Sequence, residues 1–368
     1  MSAPIRVGIV GLSASAGWAA AAHVPALAAL DAYELRALAA GSAESARAAG
    51  AKYGVAHTHG SVEELVERDD IDLVVVTVKA PQHRRLVLAA LQAGKMVWCE
   101  WPLGTGLAEA TELAALAQAR QLRTVVGLQA RCSPAIRYLR DLVASGYLGE
   151  VLSTSVVASG RNWGATFATR GAYQLDPANG VTMLSVPFGH TVDALTLVLG
   201  EFTDLSATIA TRRTRAHDAE TGQAAAMRSP DQLAVSGTLE GGAVASLHFR
   251  GGLSRGTNFL WEINGTDGDL VVTQDWAHPQ FGAISLRGAR GRDTTPTELP
   301  VPGHYLRVPE LADARDEMAY NVAHTYAQLR EDLSNGTELA PGFAHAAHRQ
   351  RLLDRIEHAA HTGERQKF

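Results

Sequence analysis

Residues 71–78 read Ile-Asp-Leu-Val-Val-Val-Thr-Val, a nearly unbroken apolar, β-branched run. A strand that is apolar on both faces must be covered on both faces, which is the condition of a parallel strand in a doubly wound sheet. The surrounding sequence fits that setting. A short apolar run at 5–10 ends in glycine, a helical pattern follows over 18–30, and strand patterns recur at 33–39, 96–99 and 124–128. Helical patterns separate them, including one at 109–120. Alternation of this kind predicts βαβ units.

After Gly149 the rhythm changes. A strand pattern at 150–158 and a helical run at 183–199 are followed by strand pairs. Residues 232–239 and 243–250 flank Glu240-Gly241-Gly242, and 259–264 and 269–273 flank Gly265-Thr266-Asp267-Gly268, a strong hairpin signal. Amphipathic helices are expected at 311–333 and 341–361. The fold class is therefore α/β: an N-terminal Rossmann domain with a parallel sheet, plus a C-terminal α+β domain with a largely antiparallel open sheet. For 368 residues two domains are expected, 1–130 for a dinucleotide and 131–368 for substrate and oligomerisation. Leu233, Val235, Leu247 and Phe249 mark one apolar face of the open sheet. Its other face needs cover, which points to a homodimer or homotetramer.

Composition narrows the function. With 19% charged residues and a net charge of −5 there is no basic stripe for nucleic acid. Cys99 and Cys132 alone give neither a disulfide framework nor zinc-type spacing, and no metal site is expected. No apolar run matches a membrane span, and the chain enters a strand pattern without a signal-peptide pattern. A cytoplasmic enzyme or regulator acting on a small molecule fits these features.

The first strand runs into Gly8-Ile9-Val10-Gly11-Leu12-Ser13-Ala14-Ser15-Ala16-Gly17-Trp18. Glycines let a backbone turn sharply beside a pyrophosphate, and the helix that follows directs N–H groups at the anion. Gly11, Ser13, Ala14, Gly17 and Trp18 are the candidate contacts. The spacing departs from G-x-G-x-x-G, since Ser13 holds the place of the second glycine, and the bare motif also fits an α/β turn with no nucleotide. A carboxylate after the second strand would normally hold the ribose hydroxyls of NAD. Here Leu38-Ala39-Ala40-Gly41-Ser42 carries none, and Ser42 with Arg47 can approach a 2′-phosphate, with Glu44 the nearest acid. This favours NADP over NAD, the alternative being that all three are solvated residues at a helix start.

Residues 7–27, with the glycine loop followed by His23-Val24-Pro25-Ala26-Leu27, resemble the glucose–fructose oxidoreductase/inositol dehydrogenase/MocA family. The insertion carrying Gly17-Trp18-Ala19 resembles the branch that contains the fungal galactose-pathway repressor. His23 reads as a structural residue at the helix end. Residues 76–103 resemble the family's second signature: strand, loop with Pro81 and His83, helix, Ala93-Gly94-Lys95, strand, then Glu-Lys-Pro. The resemblance implies cofactor-side roles for Lys79, His83, Glu100, Trp101, Pro102 and Gln129. The family's catalytic lysine is replaced here, in Glu100-Trp101-Pro102, by an indole that donates a hydrogen bond but cannot take a proton.

The family's Asp-x-x-x-His-x-x-Asp pattern becomes Val186, His190 and Asp193. The resemblance makes His190 the candidate proton donor and Asp193 its orienting partner. Lys79, at the end of a parallel strand, is the candidate substitute base, and Tyr173 a further catalytic candidate. Trp101, Arg131, Trp163, Asn179 and His190 are candidate substrate contacts. The repressor resemblance continues through Leu128-Gln129-Ala130-Arg131, Ser145 to Gly149, Asn179-Gly180-Val181 and Gly237-Thr238-Leu239, spanning residues 5 to beyond 270. It implies either an NAD(P)-dependent oxidoreductase or a non-catalytic dinucleotide-binding regulator. For the oxidoreductase, loss of the lysine favours reduction of an imine, iminium or conjugated bond. Oxidation of a sugar or polyol through a substitute base is the other catalytic option.

Overall fold

The computed structural model describes residues 3–368. Strands β1 (Ile5–Val10), β2 (Tyr33–Ala39), β3 (His57–His59), β4 (Leu73–Val76), β5 (Met96–Cys99) and β6 (Thr124–Val126) form one sheet in the order β3-β2-β1-β4-β5-β6. Every pairing in it is parallel. The order reverses between β1 and β4, which opens a crevice beyond their carboxyl ends. The connections carry α1 (Val24–Ala28), α2 (Ala43–Tyr53), α3 (Val62–Val66), α4 (His83–Gln92) and α5 (Leu107–Ala119).

β4 is shorter than the apolar run at 71–78. Asp72 is drawn off by Arg6, which donates to it from its backbone and guanidinium at 2.6–2.9 Å. At the other end the Thr77 hydroxyl donates to the Val10 carbonyl at 2.9 Å. The helix expected at 18–30 opens instead with a π-helical turn, Ala19–His23, because Pro25 has no N–H for a regular bond.

Residues after Cys132 build a large sheet and a small three-stranded one. Helices α6 (Pro134–Ala144) and α7 (Gly189–Leu199) accompany β7 (Val151–Gly160), β8 (Thr166–Phe167), β9 (Phe202–Ala210), β10 (Arg215–Asp218), β11 (Ala224–Ala226), β12 (Gln232–Leu239), β13 (Val244–Gly251), β14 (Phe259–Gly265), β15 (Gly268–Thr273), β16 (Ser285–Arg290), β17 (Thr297–Glu298) and β18 (Gln366–Lys367). The small sheet runs β11-β10-β8. The large sheet runs β17-β16-β15-β14-β7-β13-β12-β9-β18. It is antiparallel except where β7 and β13 run side by side. The helical run before α7 also contains a π-turn, Leu184–Phe188. Pro187 cannot donate to the Met183 carbonyl, so Phe188 takes it at 3.1 Å.

Two long helices follow, α8 (Ala319–Asn335) and α9 (Phe343–Thr362). α8 starts later than the pattern at 311–333 predicts. Residues 309–311 form only a 3₁₀ turn, and the regular helix begins at Ala319, after Met318. The chain divides into two compact units, Met1–Cys132 with Leu306–Gln350, and Ser133–Tyr305 with Arg351–Phe368. α8 thus belongs to the parallel-sheet unit, where Val322, Tyr326 and Leu329 join Ile5, Leu27, Tyr33 and Trp98 in one core.

Candidate functional site

The loop after β1 is shaped by two glycines. Gly11 has φ +100°, and a Cβ there would lie 2.8 Å from Val78 Cγ1 and 3.0 Å from Thr77 Oγ1. Gly17 has φ +142°, and nothing lies within 4 Å of where its Cβ would be. Between them the loop is anchored from α2: Lys52 Nζ donates to the Ala14 carbonyl at 2.6 Å and the Tyr53 hydroxyl to the Ser13 carbonyl at 3.1 Å. Ser13 and Ser15 share a hydroxyl contact at 3.0 Å. A glycine loop with open space at Gly17, leading into the Ala19–His23 turn beside the sheet's crevice, suits a pyrophosphate. Gly17→Val should weaken NADPH binding by about tenfold or more, since a branched side chain disfavours positive φ and would fill that space. Fluorescence titration of NADPH reads this directly, and an unaltered isotherm would remove Gly17 from the site.

At the end of β2, Ser42 caps α2 by accepting from the Ser45 N–H at 3.2 Å. Ser42, Glu44 and Arg47 are exposed. Lys79 is exposed at the end of the β4 loop, and its carbonyl accepts from Gln82. His83 is buried and its two nitrogens face the Pro102 and Val78 carbonyls, both at 2.9 Å. It staples the loop after β4 to the loop after β5, and burial pushes its pKa down.

Glu100 is the hub of a buried network. Its Oε1 accepts from Trp98 Nε1 at 2.8 Å and from His23 Nε2 at 3.0 Å, while Oε2 accepts from Gln129 Nε2 at 3.0 Å. His23 Nδ1 meets the Tyr326 hydroxyl at 2.8 Å, and the Tyr33 hydroxyl donates to the Tyr326 carbonyl at 2.8 Å. With Glu100 accepting, Nε2 of His23 carries the proton and Nδ1 accepts from Tyr326. His23 is therefore a strut from the first helix to the end of β5. Trp101 follows at 7% exposure, ahead of a cis bond to Pro102. Arg131 lies elsewhere in this unit, lining a cavity of about 690 Å³ with Gln118, Thr124, Pro341 and His345.

In the second unit His190 and Asp193 are both buried on α7, with Val186 in the π-turn before it. Trp163 is buried at φ +55° and its indole donates to the Gln174 carbonyl at 3.2 Å. Asn179 Nδ2 donates to the Tyr173 carbonyl at 2.8 Å. These two candidates are thus tied into their own loop. Sequence reasoning missed His278, whose ring stacks on His190 with centroids 5.3 Å apart and planes 21° from parallel. The only signal was the aromatic spacing of Trp276, His278 and Phe281 in a loop too long for a hairpin.

Burial and the neighbouring His278 hold the His190 pKa well below the ordinary value of 6.5, and burial takes His278 to about 4. His190 is therefore a neutral hydrogen-bonding group at pH 7. Burial likewise takes His324 to about 4. Because these folded values lie below the unfolded ones, the stability they contribute is present above pH 6.5 and is lost as pH falls towards 4. The melting temperature should drop across that window, and His278→Phe should flatten part of the slope. An equally steep decline in the variant would remove His278 as a contributor.

Among the described residues no group of three His, Cys, Asp or Glu side chains is arranged to hold a metal, and no helix is long and apolar enough to cross a membrane.

Residues 5–128 match the model of an oxidoreductase family with an NAD-binding Rossmann fold, GFO/IDH/MocA, and residues 134–274 match that of the Gal80p C-terminal domain. The galactose/lactose metabolism regulatory protein GAL80 of Kluyveromyces lactis is 31% identical over 306 residues, 77% of this chain and 67% of that protein. The chain belongs to the GFO/IDH/MocA family, in its Gal80-like branch. The dehydrogenase aclE of Aspergillus oryzae is 37% identical over 213 residues. That match covers 56% of this chain and only 58% of the Aspergillus protein. A super-repressor mutant of Gal80p from Saccharomyces cerevisiae superposes with a TM-score of 0.87 at 24% identity, over 99% of this chain and 98% of that one. Levoglucosan dehydrogenase in complex with NADH and L-sorbose does so with a TM-score of 0.83 at 19% identity, over 100% and 99%. At these identities the two structures establish a shared fold.

Proposed function

We propose that this member of the family is an NAD(P)-dependent reductase of a small organic acceptor, an imine, iminium or conjugated double bond. The observation that carries this reading is Trp101: a buried indole follows Glu100 at the carboxyl edge of the parallel sheet, where the family's lysine stands. Oxidising an alcohol requires a base for the hydroxyl proton; an indole cannot take it, and His190, its pKa held well below 6.5 by burial, is a weak acceptor of it. An acceptor of hydride needs no such base, and an iminium carbon is already electron-poor. Bound nicotinamide would supply the hydride. Gly11, Ser13, Ala14, Gly17 and Trp18 would hold the pyrophosphate, with Ser42 and Arg47 beside a 2′-phosphate, which favours NADP. In the first unit Trp101 would form an apolar wall that excludes water; in the second unit His190 would be a hydrogen-bonding group for substrate, with water completing proton delivery. Lys79 and Tyr173 remain secondary candidates for that proton.

A second reading, a non-catalytic dinucleotide-binding regulator, is favoured by the similarity to GAL80. Nicotinamide absorbance separates the two. Single-turnover oxidation of bound NADPH by members of a panel of cyclic imines, enals, aldehydes and sugars supports the reductase. Tight NADPH binding with no oxidation across the whole panel overturns it in favour of the regulator. The open face of the large sheet, rich in small polar residues such as Ser155, Ser236 and Ser246, supports assembly as a dimer or tetramer. Sedimentation should show a species of at least twice 39.0 kDa at micromolar concentration, and a purely monomeric boundary would refute it.

A further inference from the structure

The strands β15 and β16 are antiparallel neighbours, yet the link between them, residues 274–284, is far longer than the roughly two to five residues such a hairpin needs. Loops of this kind on a rigid sheet are where ligand contacts concentrate. This one carries three aromatic rings joined through Phe281. Trp276 and Phe281 meet edge to face at 5.0 Å, and Phe281 meets His278 edge to face at 5.2 Å. His278 then stacks on His190. The Trp276 ring is set by a close approach: a Cβ at Gly282 would lie 2.5 Å from Trp276 Cδ1. Its orientation is reinforced by the Arg161 guanidinium, 5.4 Å from the ring centroid. Trp276, His278 and Phe281 all remain partly exposed.

The imidazoles add a second, independent feature. Nδ1 of His190 and Nδ1 of His278 are both buried atoms without a hydrogen-bond partner. Buried polar atoms in native proteins are nearly always bonded, and an orphan pair on adjacent stacked rings calls for a partner that the chain does not supply. A neutral imidazole nitrogen without its proton accepts from N–H or O–H, and with its proton donates to oxygen. Ring faces beside them favour a flat, polarisable partner over an aliphatic one.

We propose that the Trp276–His278–Phe281 loop and His190 form the substrate-recognition surface of the second unit, selecting a planar conjugated ring that bears an N–H or O–H group. This rests on the reductase reading only in that the same ligand would be the hydride acceptor. His278 is then a specificity residue: its plane stacks, and its nitrogen reads the polar substituent.

Binding and turnover test it separately. Isoquinoline and 6-hydroxyisoquinoline are planar probes, and 1-pyrroline is a small non-aromatic imine. Each is titrated against the NADPH-saturated protein by calorimetry, and oxidation of NADPH by 3,4-dihydroisoquinoline is followed by absorbance. The expected result is binding of 6-hydroxyisoquinoline about tenfold tighter than isoquinoline, each hydrogen bond and stack being worth about such a factor, with 1-pyrroline weaker than both. His278→Phe should retain isoquinoline affinity and lose the preference for the hydroxyl, while Trp276→Leu should weaken both planar probes. NADPH affinity, measured in each variant, reports an intact first unit. Equal affinities for all probes in the unaltered protein, or an unchanged hydroxyl preference in His278→Phe, overturns the proposal. Selective binding of the hydroxylated ring with no oxidation of NADPH sustains it and counts against the reductase reading alone. Turnover that is indifferent to His278→Phe does the reverse.

Discussion

Glu100→Ala is expected to lower folding stability by on the order of 4 kcal/mol, because three buried donors lose their acceptor at roughly 1–3 kcal/mol apiece. Those donors are the Trp98 indole, the His23 imidazole and the Gln129 amide. The side chain that replaces Glu100 offers them nothing, and the pocket it leaves is walled by Trp98 and Tyr326, whose ring centroids lie 4.3 Å apart. Tyr326→Phe provides the scale: it deletes one hydroxyl bonded to His23 and should cost about 1 kcal/mol. Urea denaturation midpoints at constant m-value measure both. A Glu100→Ala midpoint no lower than that of Tyr326→Phe would show that Glu100 is not the hub. The loss should also appear in cofactor affinity, since Glu100 leads directly into Trp101 and Pro102 and the latter carbonyl is held by His83.

Trp101→Lys is expected to have the largest effect on chemistry. The substitution restores an ammonium at the family position, in a setting where the residue is only 7% exposed. Burial disfavours the charged form and lowers a lysine pKa towards neutrality, which makes it a competent base. Oxidation of some polyol or sugar should rise by about 10²-fold or more over the unaltered protein, the usual yield of a positioned general base. Reduction of imines should fall, because the apolar indole wall is lost and the protonated fraction of the lysine repels an iminium. Initial rates of NADPH formation and consumption give both numbers. Unaltered cofactor affinity, substrate range and rate together would place residue 101 away from the reacting atoms.

Much of the architecture was legible because local signals and tertiary demands agreed. The run at 96–99 is a strand in both readings, and the turn Gly265 to Gly268 closes the hairpin of β14 and β15 as the sequence predicts. Disagreement arose where one residue overrode a periodic pattern. Pro25 and Pro187 widened helices into π-turns, and α8 begins at Ala319 rather than at 311. β9, β10, β16 and β17 gave no clear signal, since small and charged residues fill them and their register comes from neighbours. In the candidate site, the glycine loop showed itself as a turn between a strand and a helix, and Glu100 came from the family resemblance. His23 reads as structural in the sequence, but its partner could not be named there, because Tyr326 is 303 positions away. His278 was hidden for the same reason: only the folded loop brings it onto His190.

The placement of α8 bears on how such a chain comes into being. The six parallel strands are complete by Val126, but Tyr33 and Trp98 lie against Tyr326, a residue that a ribosome adds some two hundred positions later. The nucleotide-type half is thus begun first and finished almost last. Throughout synthesis of the antiparallel sheet, its aromatic flank has to wait for its cover, and an incomplete chain ending before α8 would present that flank to any other unfolded chain nearby. Chaperone dependence would then track the interval between Trp98 and Tyr326 rather than overall length, and a circularly permuted gene that encodes α8 ahead of β1 would shorten the wait.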